Sequence, residues 1–459
     1  MNREFYWEYM KECDNLINRF LKETKSINSK AFKVAGADIE KAVANFLWQN
    51  LFHSKNKESY SNKRIEGKAF NHFIEEIWNT SLHPLLPSLD NITESKIINS
   101  EDNNYQEVLN LDAILFYCKN NRQLEYYLPI LNKIEERVVI LTLEELNESL
   151  LIKHNIEIIK FGVISKPIFI EQKYLEEKFP FLFSLTDILF LLIKTITPKK
   201  IIILEGCHYE TEIISSISKV YSIKTICIQQ GWPSLMHTRF INMTYDYFLT
   251  WGKEFNKLWG KYNSFPIFIE TGYLYGVNKR DKKEKKSITF FFQAPLFTIS
   301  NIAFQEMIEF AFFCAEQFPY RKILIREHPE YRFTSKIMKR ILKQNNIKLV
   351  TDNKIHEVFS QTEIGVSFFS STLMEGIVHN IIPFVFNPTS NPKYYPDIDK
   401  ERLGLEVKTF AEAKEKILHL LNTELLKQNF KKNISKNKKI YFECVELETA
   451  NKILQIIKL

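Results

Sequence analysis

Glycine is scarce in this chain, with 12 glycines among 459 residues. This scarcity argues against a glycine-rich phosphate-binding loop as the dominant feature of its chemistry. Long apolar runs are missing as well, because no stretch reaches the roughly 18–20 residues that span a bilayer. The first five residues, Met-Asn-Arg-Glu-Phe, do not resemble a signal peptide. These absences favour a globular protein that works in the cytoplasm.

The cysteines form no CxxC pair, and their spacing matches neither a zinc site nor a disulfide framework. They are Cys13, Cys118, Cys207, Cys227, Cys314 and Cys444. We therefore expect buried, reduced thiols. A metal-binding DxD motif is matched by letters at Asp397 and Asp399, but this segment is a loop rich in proline and tyrosine. We predict no metal and no cofactor.

The charge balance is mildly basic, with a net charge of +7 and a sequence pI near 8.8. Such a balance suits an anionic substrate, or peripheral contact with the anionic inner face of a cytoplasmic membrane. It is too weak to indicate nucleic-acid binding, and no motif for DNA or RNA recognition is present.

The length and the pattern of apolar residues predict several structural units. From residue 108, strand-like and helix-like runs alternate, and one predicted helix starts at Leu143. This alternation indicates an α/β fold with parallel sheets covered by helices. An entirely charged segment, 279–286, is read as a linker. The predicted units are a helical N-terminal extension (1–104), a Rossmann-like domain (105–280), a second Rossmann-like domain (287–440) and a C-terminal helix that packs back on the first domain (441–459).

Two short polar motifs follow apolar, strand-like runs in the last third of the chain. Arg326-Glu-His-Pro329 comes directly after one run, and Ser370-Ser371-Thr372 lies between another run and a helix-like segment. A helix N-terminus presents free backbone N–H groups, which bind phosphate. We expect the two motifs on neighbouring strands, where they would hold a nucleotide phosphate at the carboxyl edge of a parallel sheet.

Six short segments together resemble GT-B glycosyltransferases that build bacterial surface polysaccharides, over about residues 108–440. These are sialyltransferase-like, polysialyltransferase-like, Kdo-transferase-like and CDP-glycerol glycerophosphotransferase-like enzymes. The segments are Ile-Leu-Glu-Gly at 203–206, Ile-Gln-Gln-Gly at 228–231, Asp-Tyr-Phe-Leu-Thr-Trp-Gly at 246–252, Thr-Gly-Tyr at 271–273, Ile-Arg-Glu-His-Pro at 325–329 and Phe-Ser-Ser-Thr-Leu-Met-Glu at 369–375. The resemblance implies two Rossmann-like domains whose parallel sheets face a cleft.

The resemblance also implies roles for particular residues. His328, Ser370 and Ser371 would contact the nucleotide phosphate, and Glu205 would be the general base. In the related motif an acidic residue precedes this base, whereas Leu204 stands there in this chain. Gln230 takes the position of a histidine in the His-Gly turn that is common in the wider group.

Several nucleotide-binding candidates also have a plain structural interpretation. Arg326 is either a phosphate ligand or a surface ion-pair partner, and His328 with Pro329 could simply end a strand. Ser370, Ser371 and Thr372 suit a helix N-cap equally well. Glu375 would either contact the donor ribose or balance the helix dipole. Gln293, at the end of another strand, would contact the base or the phosphate.

The acceptor side has its own alternatives. Glu205 would either deprotonate the acceptor hydroxyl or cap the helix that begins near Glu210. His208 and His237 are backup bases. Gln230 and Gly231 would form a tight turn at the cleft, whether or not it contacts the acceptor.

The combined prediction is a metal-independent glycosyltransferase that moves a sugar from a nucleotide-activated donor, CMP-sugar first, to a glycan or glycolipid acceptor such as capsule or lipooligosaccharide. One alternative is a polyol-phosphate transferase with a CDP-linked donor. Another is a non-catalytic glycan- or nucleotide-binding partner in polysaccharide assembly, which the missing first carboxylate at Leu204 would fit. The oligomeric state stays open.

Overall fold

The computed structural model describes most of the chain. The described residues are 3–53, 68–88, 96–97, 112–151, 156–162, 170–231, 236–275, 286–293, 299, 301–328, 331–351, 355–388 and 396–459. The predicted linker at 279–286 falls outside these ranges, except for Lys286. Pro329 is also outside them.

The first sheet has seven parallel strands in the order β11-β10-β9-β8-β4-β5-β6. Both of its faces are covered, which explains why its strands are continuous apolar runs rather than alternating ones. The strands are β4 (Ile114–Tyr117), β5 (Val138–Thr142), β6 (Ile156–Lys160), β8 (Lys200–Leu204), β9 (Lys224–Ile228), β10 (Tyr247–Thr250) and β11 (Ile267–Glu270). Its helices are α4 (Asn121–Leu131), α5 (Lys173–Lys178), α6 (Pro180–Ile196), α7 (Tyr209–Val220) and α8 (Lys253–Gly260).

The second sheet has six parallel strands in the order β14-β13-β12-β15-β16-β17. The strands are β12 (Ser287–Phe291), β13 (Ile323–Arg326), β14 (Ile347–Leu349), β15 (Thr362–Ser367), β16 (Ile382–Phe386) and β17 (Leu405–Val407). Its helices are α9 (Asn301–Gln317), α10 (Ser335–Ile341), α11 (Ile355–Gln361), α12 (Ser371–Val378) and α13 (Phe410–Asn422). Together the two sheets confirm the predicted pair of Rossmann-like units.

One expectation about this sheet was wrong. The strands that carry the two phosphate motifs, β13 and β15, are not neighbours, because β12 pairs with both of them. The first strand of the unit therefore forms its centre, as in other doubly wound sheets. Gln293, just after β12, consequently lies between the two motifs.

The N-terminal helices pack against the first unit. They are α1 (Arg3–Ile27), α2 (Glu40–His53) and α3 (Lys68–Ile77). The strands β1 (Lys33–Val34) and β2 (Ala37–Asp38) form a hairpin between α1 and α2, and β3 (Lys96–Ile97) pairs with β7 (Ile170–Glu171). Buried residues from α1, α2 and α3 share one hydrophobic core with one face of the first sheet. The N-terminal segment is thus packed into the first unit rather than tethered to it.

The C-terminal segment crosses from the second unit to the first. Helix α14 (Glu424–Tyr441) packs in the core of the second unit, through Phe430 and Ile434. Helix α15 (Leu447–Lys458) then buries Ala450, Ile453 and Ile457 against α4 and the other face of the first sheet. The chain therefore links the two units at both ends of the second one.

The secondary structure differs from the expectations in a few places. The helix predicted from Leu143 is absent; the chain there makes a bend and a single 3₁₀ turn, Glu148–Leu150. Asn147 accepts a hydrogen bond from the Ser149 N–H and so favours this local turn over a longer helix. None of the helices in the described ranges has the length and apolar character needed to cross a bilayer.

Candidate functional site

Glu205 lies in a sharp turn at the carboxyl end of β8. Its φ is +69°, a left-handed conformation that is uncommon for a residue with a β-carbon, and Gly206 repeats the same φ. Gly206 has no space for a side chain, because an added β-carbon would lie 2.7 Å from Cys227 Sγ. The turn thus lifts the Glu205 carboxylate away from the strand, at the edge where ligands bind in parallel sheets.

Positive neighbours keep Glu205 ionised. His208 Nε2 lies 3.7 Å from Glu205 Oε2. Burial alone would raise the pKa of Glu205, but hydrogen bonding and charge from His208, together with Arg239 and Arg122, outweigh it and hold the pKa below its usual value. The group is therefore available as a carboxylate at neutral pH.

The Gln-Gln-Gly turn after β9 lies against Glu205. Gln229 fixes this turn, since its side-chain amide donates to the Gly231 carbonyl at 3.0 Å and its Oε1 accepts the Trp251 N–H at 2.8 Å. A β-carbon added to Gly231 would lie 3.7 Å from Glu205 Oε1. Gln230 is buried beside it. The structure therefore brings Glu205 and the turn that contains Gln230 and Gly231 together.

His208 and His237 have different surroundings. Arg239 Nη2 lies 3.3 Å from His208 Nδ1. Burial lowers the pKa of His208, but Cys207 and Glu205 outweigh this effect and raise that pKa to about 10. His237 stacks on Trp48, and burial with the charges of Arg239 and Lys41 holds its pKa well below the usual value.

The Ser-Ser-Thr motif begins helix α12. Ser370 is its N-cap, with its hydroxyl oxygen accepting the Thr372 N–H at 3.2 Å. Ser371 Oγ donates to Glu375 Oε1 at 3.2 Å, and the Tyr273 hydroxyl donates to Glu375 Oε2 at 2.7 Å. Burial raises the pKa of Glu375 even though these donors and two arginines lower it. Capping and phosphate binding are compatible here, because N–H groups at the helix start remain available.

Strands β12 and β13 complete this edge. Gln293 Oε1 accepts the Phe369 N–H at 3.0 Å, so Gln293 anchors the approach to the serine motif. Arg326 ends β13. Burial lowers its pKa, and the opposing charge of Glu375 only partly offsets this effect. The His328 carbonyl accepts the Tyr331 N–H at 3.1 Å. Arg326, Gln293 and the serine motif thus lie along one edge, while Pro329 lies outside the described residues.

An arginine that sequence reasoning missed joins the two edges. Arg122, in the first turn of α4, is exposed, and its positive charge lowers the pKa of both Glu205 and Glu375. It also hydrogen-bonds the Tyr275 side chain. The carboxyl ends of the two sheets therefore face one another, with Arg122 near both carboxylates. The only hint in the sequence is that Arg122 follows the first strand of the first unit.

One group in the described part of the chain has metal-ligating character. Ligand atoms of Glu205, Cys207 and His208 all lie within 4.8 Å of one another. Arg239 Nη2 approaches two of these residues, at 3.2 Å from Cys207 Sγ and 3.3 Å from His208 Nδ1. A guanidinium at this position opposes the binding of a cation by simple charge repulsion.

Comparisons with known proteins identify the fold. No protein-family model matches the chain, and no curated protein matches it either. The structure is similar to the UDP-GlcNAc 2-epimerase of Neisseria meningitidis bound to UDP-GlcNAc. The TM-score is 0.52 at 12% identity, and the match covers 76% of this chain and all of that one. The chain has a GT-B fold.

Two further structures agree with this GT-B assignment. A putative UDP-N-acetylglucosamine 2-epimerase from Listeria monocytogenes gives a TM-score of 0.52 at 11% identity, covering 75% of this chain and 95% of that one. The UDP-GlcNAc 2-epimerase of Methanocaldococcus jannaschii gives 0.50 at 12% identity, covering 75% and 99%. At this identity the similarity establishes the fold alone, so the narrower resemblance to sialyltransferase-like and related enzymes stays a prediction.

Proposed function

We propose that this GT-B protein is a metal-independent glycosyltransferase with Glu205 as its catalytic base. The observation that carries the proposal is that the carboxyl edges of the two parallel sheets face one another. Glu205, a carboxylate in a tight turn, belongs to the first unit, and the phosphate-binding helix start with Glu375 belongs to the second. Arg122 lies within electrostatic range of both carboxylates.

In this proposal the donor nucleotide binds the second unit. The N-terminus of α12, with Ser370, Ser371 and Thr372, receives a phosphate, and Arg326 and His328 balance the charge of the departing nucleotide. Glu375 and Gln293 hold the ribose and the base. A CMP-sugar is the proposed donor, since the motifs carrying these residues resemble enzymes that use it.

The acceptor binds the first unit, against Glu205, Gln230 and Gly231. Glu205 takes the proton from the acceptor hydroxyl as the oxygen attacks the anomeric carbon, and the nucleotide leaves with the electron pair of the broken bond. We propose a bacterial surface glycan, such as capsule or lipooligosaccharide, as acceptor. Work on such an acceptor would place the protein in the cytoplasm, at the inner face of the membrane.

The first experiment is a thermal-shift screen against CMP, CDP, UDP, UDP-GlcNAc, GDP and ADP. A ligand at 100 times its dissociation constant stabilises a protein by about 2.7 kcal/mol, which is readily measured. We expect CMP to give the largest shift. A polyol-phosphate transferase also releases CMP, but its donor carries two phosphates, so a shift with CDP larger than that with CMP would favour it. A shift with UDP-GlcNAc would redirect the donor assignment to UDP-sugars. No shift with any nucleotide would contradict a nucleotide-dependent function.

The second experiment tests Glu205 in an EDTA-containing assay with the nucleotide that binds and a mixture of glycan acceptors. We expect Glu205→Gln to lower transfer by about 10²–10⁴-fold, the usual contribution of a general base. Nucleotide binding should be retained, since the donor lies in the other unit. Glu148→Gln, a change at an exposed position of the same unit, is the control. Tight binding without turnover by the unmodified protein would favour the non-catalytic partner, and an active Glu205→Gln would refute the base.

A further inference from the structure

The segment from His237 to Phe240 lies between the N-terminal helices and the Glu205 turn. The N-terminal helices hold its backbone from two sides. Asp14 of α1 accepts the Thr238 N–H at 2.9 Å and also the Thr238 hydroxyl. Lys41 of α2 donates to the Thr238 carbonyl. Asp14 and Lys41 therefore hold the backbone N–H and the backbone carbonyl of Thr238, which leaves this segment little freedom.

Trp48 of α2 supports the side chains on either side of Thr238. The His237 ring stacks on Trp48, with centroids 4.0 Å apart and planes 8° apart. The Arg239 guanidinium carbon lies 5.5 Å from the centre of the Trp48 ring, within the range of a cation–π contact. Trp48 is 2% exposed, so this support is rigid.

Arg239 then extends from Trp48 to the Glu205 turn. Its Nε donates to the Cys207 carbonyl at 2.7 Å, and its Nη2 lies 3.2 Å from Cys207 Sγ and 3.3 Å from His208 Nδ1. These contacts fix the two residues after Gly206. They also hold the His208 ring, whose Nε2 lies 3.7 Å from Glu205 Oε2.

The contacts form one continuous path from the N-terminal helices to the proposed base. Glu205 needs such support, because its left-handed backbone costs energy unless its surroundings hold it in place. The links as far as His208 are hydrogen bonds and ring contacts, and the last link is the approach of His208 Nε2 to within 3.7 Å of Glu205 Oε2. No link involves a residue of the proposed nucleotide site, which belongs to the other unit.

We propose that Arg239 is a positioning residue for Glu205, and that Trp48 and Asp14 make the N-terminal helices a working part of the acceptor site. The proposal rests on the proposed function, because it takes Glu205 as the base. It assigns the helical extension a role in catalysis.

The test must consider every charged group that faces Glu205. Cys207 and His208 face it from its own turn, Arg239 from the 237–240 segment, Arg122 from α4, and Cys227 from β9. Removing Arg239 takes away one of the positive neighbours and leaves the others in place. The ionisation of Glu205 should therefore shift to higher pH, while a purely structural loss would lower activity without moving it.

The first arm compares Arg239→Gln with Arg239→Lys. We expect Arg239→Gln to lower kcat by 10–100-fold, as the loss of a supporting hydrogen-bond partner commonly does, with an unchanged KM for the donor. The acid limb of the pH–rate profile should move up, and Arg239→Lys should restore its position in part, because the positive charge returns. A fall in kcat with an unmoved acid limb, or no fall, would overturn the proposal.

A second measurement does not depend on turnover. With carboxyl-labelled glutamate, the NMR signal that disappears in Glu205→Gln belongs to Glu205, and its titration can be followed. We expect its midpoint to rise in Arg239→Gln. A midpoint that stays in place would refute the positioning role even if the enzyme's substrates had been assigned wrongly.

The third arm uses a matched pair of tryptophans. Trp78 is also 2% exposed in the N-terminal region and carries Arg19 at 3.8 Å from its ring, but it belongs to no contact of the path described above. At a temperature where both variants are folded, Trp48→Ala should lose kcat, Trp48→Phe should retain most of it, and Trp78→Ala should be active. Equal losses in the two alanine variants would show general destabilisation and reject the path. If Glu205→Gln is fully active, the proposed base fails first, which separates the two failures.

Discussion

At the scale of single residues, the cleft contains two carboxylates with opposite electrostatic settings. Burial dominates at Glu375 and raises its pKa, while positive neighbours dominate at Glu205 and lower its pKa. Pairs of titratable groups with diverging pKa values are typical of acid–base sites. We propose Glu205 as the base because it is ionised and lies beside Gly231 in the first unit, and Glu375 as a binding group because it belongs to helix α12 of the second unit.

The lowered pKa of Glu205 predicts the pH dependence of the reaction. A depressed carboxyl pKa means that the basic form persists down to and below the usual value of 4.5. Between pH 5 and pH 7 we therefore expect kcat/KM to show no loss that is due to protonation of the base. The measurement is a pH–rate profile at saturating nucleotide, with stability checked at each pH. An acid limb near pH 6 that vanishes in Glu205→Gln would contradict the inferred charge environment.

The sequence identifies residues that depend on their local position and misses those that depend on distant contacts. Glu205 is predictable because an apolar strand and a glycine surround it. Arg239 is not, since it meets Cys207 across 32 residues, and Arg122 meets Glu375 from the other unit. Neither arginine is part of a motif, so only the folded chain shows what they contact.

At the scale of elements, the N-terminus of helix α12 has a structural role as a capped helix start and a proposed role in binding phosphate. Ser370→Ala removes the cap and should lower stability by about 1 kcal/mol. It should also weaken nucleotide binding, because the phosphate loses a preordered helix start. Both effects can be read from thermal unfolding with and without the nucleotide.

Thr409→Ala is the matched control for this helix cap. Thr409 caps α13 in the same unit, accepting the Glu412 N–H at 3.1 Å, and lies outside the proposed site. We expect a similar loss of stability with an unchanged nucleotide-induced shift. If Ser370→Ala also leaves that shift unchanged, the serine motif is a cap and nothing more.

At the scale of the whole molecule, the order of elements followed from the sequence, whereas the sheet order did not. Apolar period and strand-ending motifs indicated two α/β units, because burial on both faces leaves a local signal. The pairing of β12 with both β13 and β15 has no such signal. The same holds for the contact between residues 271–273 and Cys444, which closes the molecule across 173 residues.

Gly272 packs so closely against the C-terminal segment that there is no space for a side chain. Its φ is +103°, and an added β-carbon would lie 2.2 Å from the Cys444 carbonyl oxygen and 2.5 Å from Thr449 Oγ1. Gly272→Ala should therefore destabilise the protein by about 3 kcal/mol, at the upper end of common single substitutions. Gly260→Ala, at a position with no atom within 4 Å of the new β-carbon, should be neutral or stabilise the helix by up to about 1 kcal/mol. Urea unfolding of both variants measures the difference.

Because α15 follows Cys444 directly, we also expect Gly272→Ala to make this helix sensitive to proteolysis before the rest of the chain. Equal stability of the two variants would mean that the C-terminal segment does not cross the first unit at Gly272.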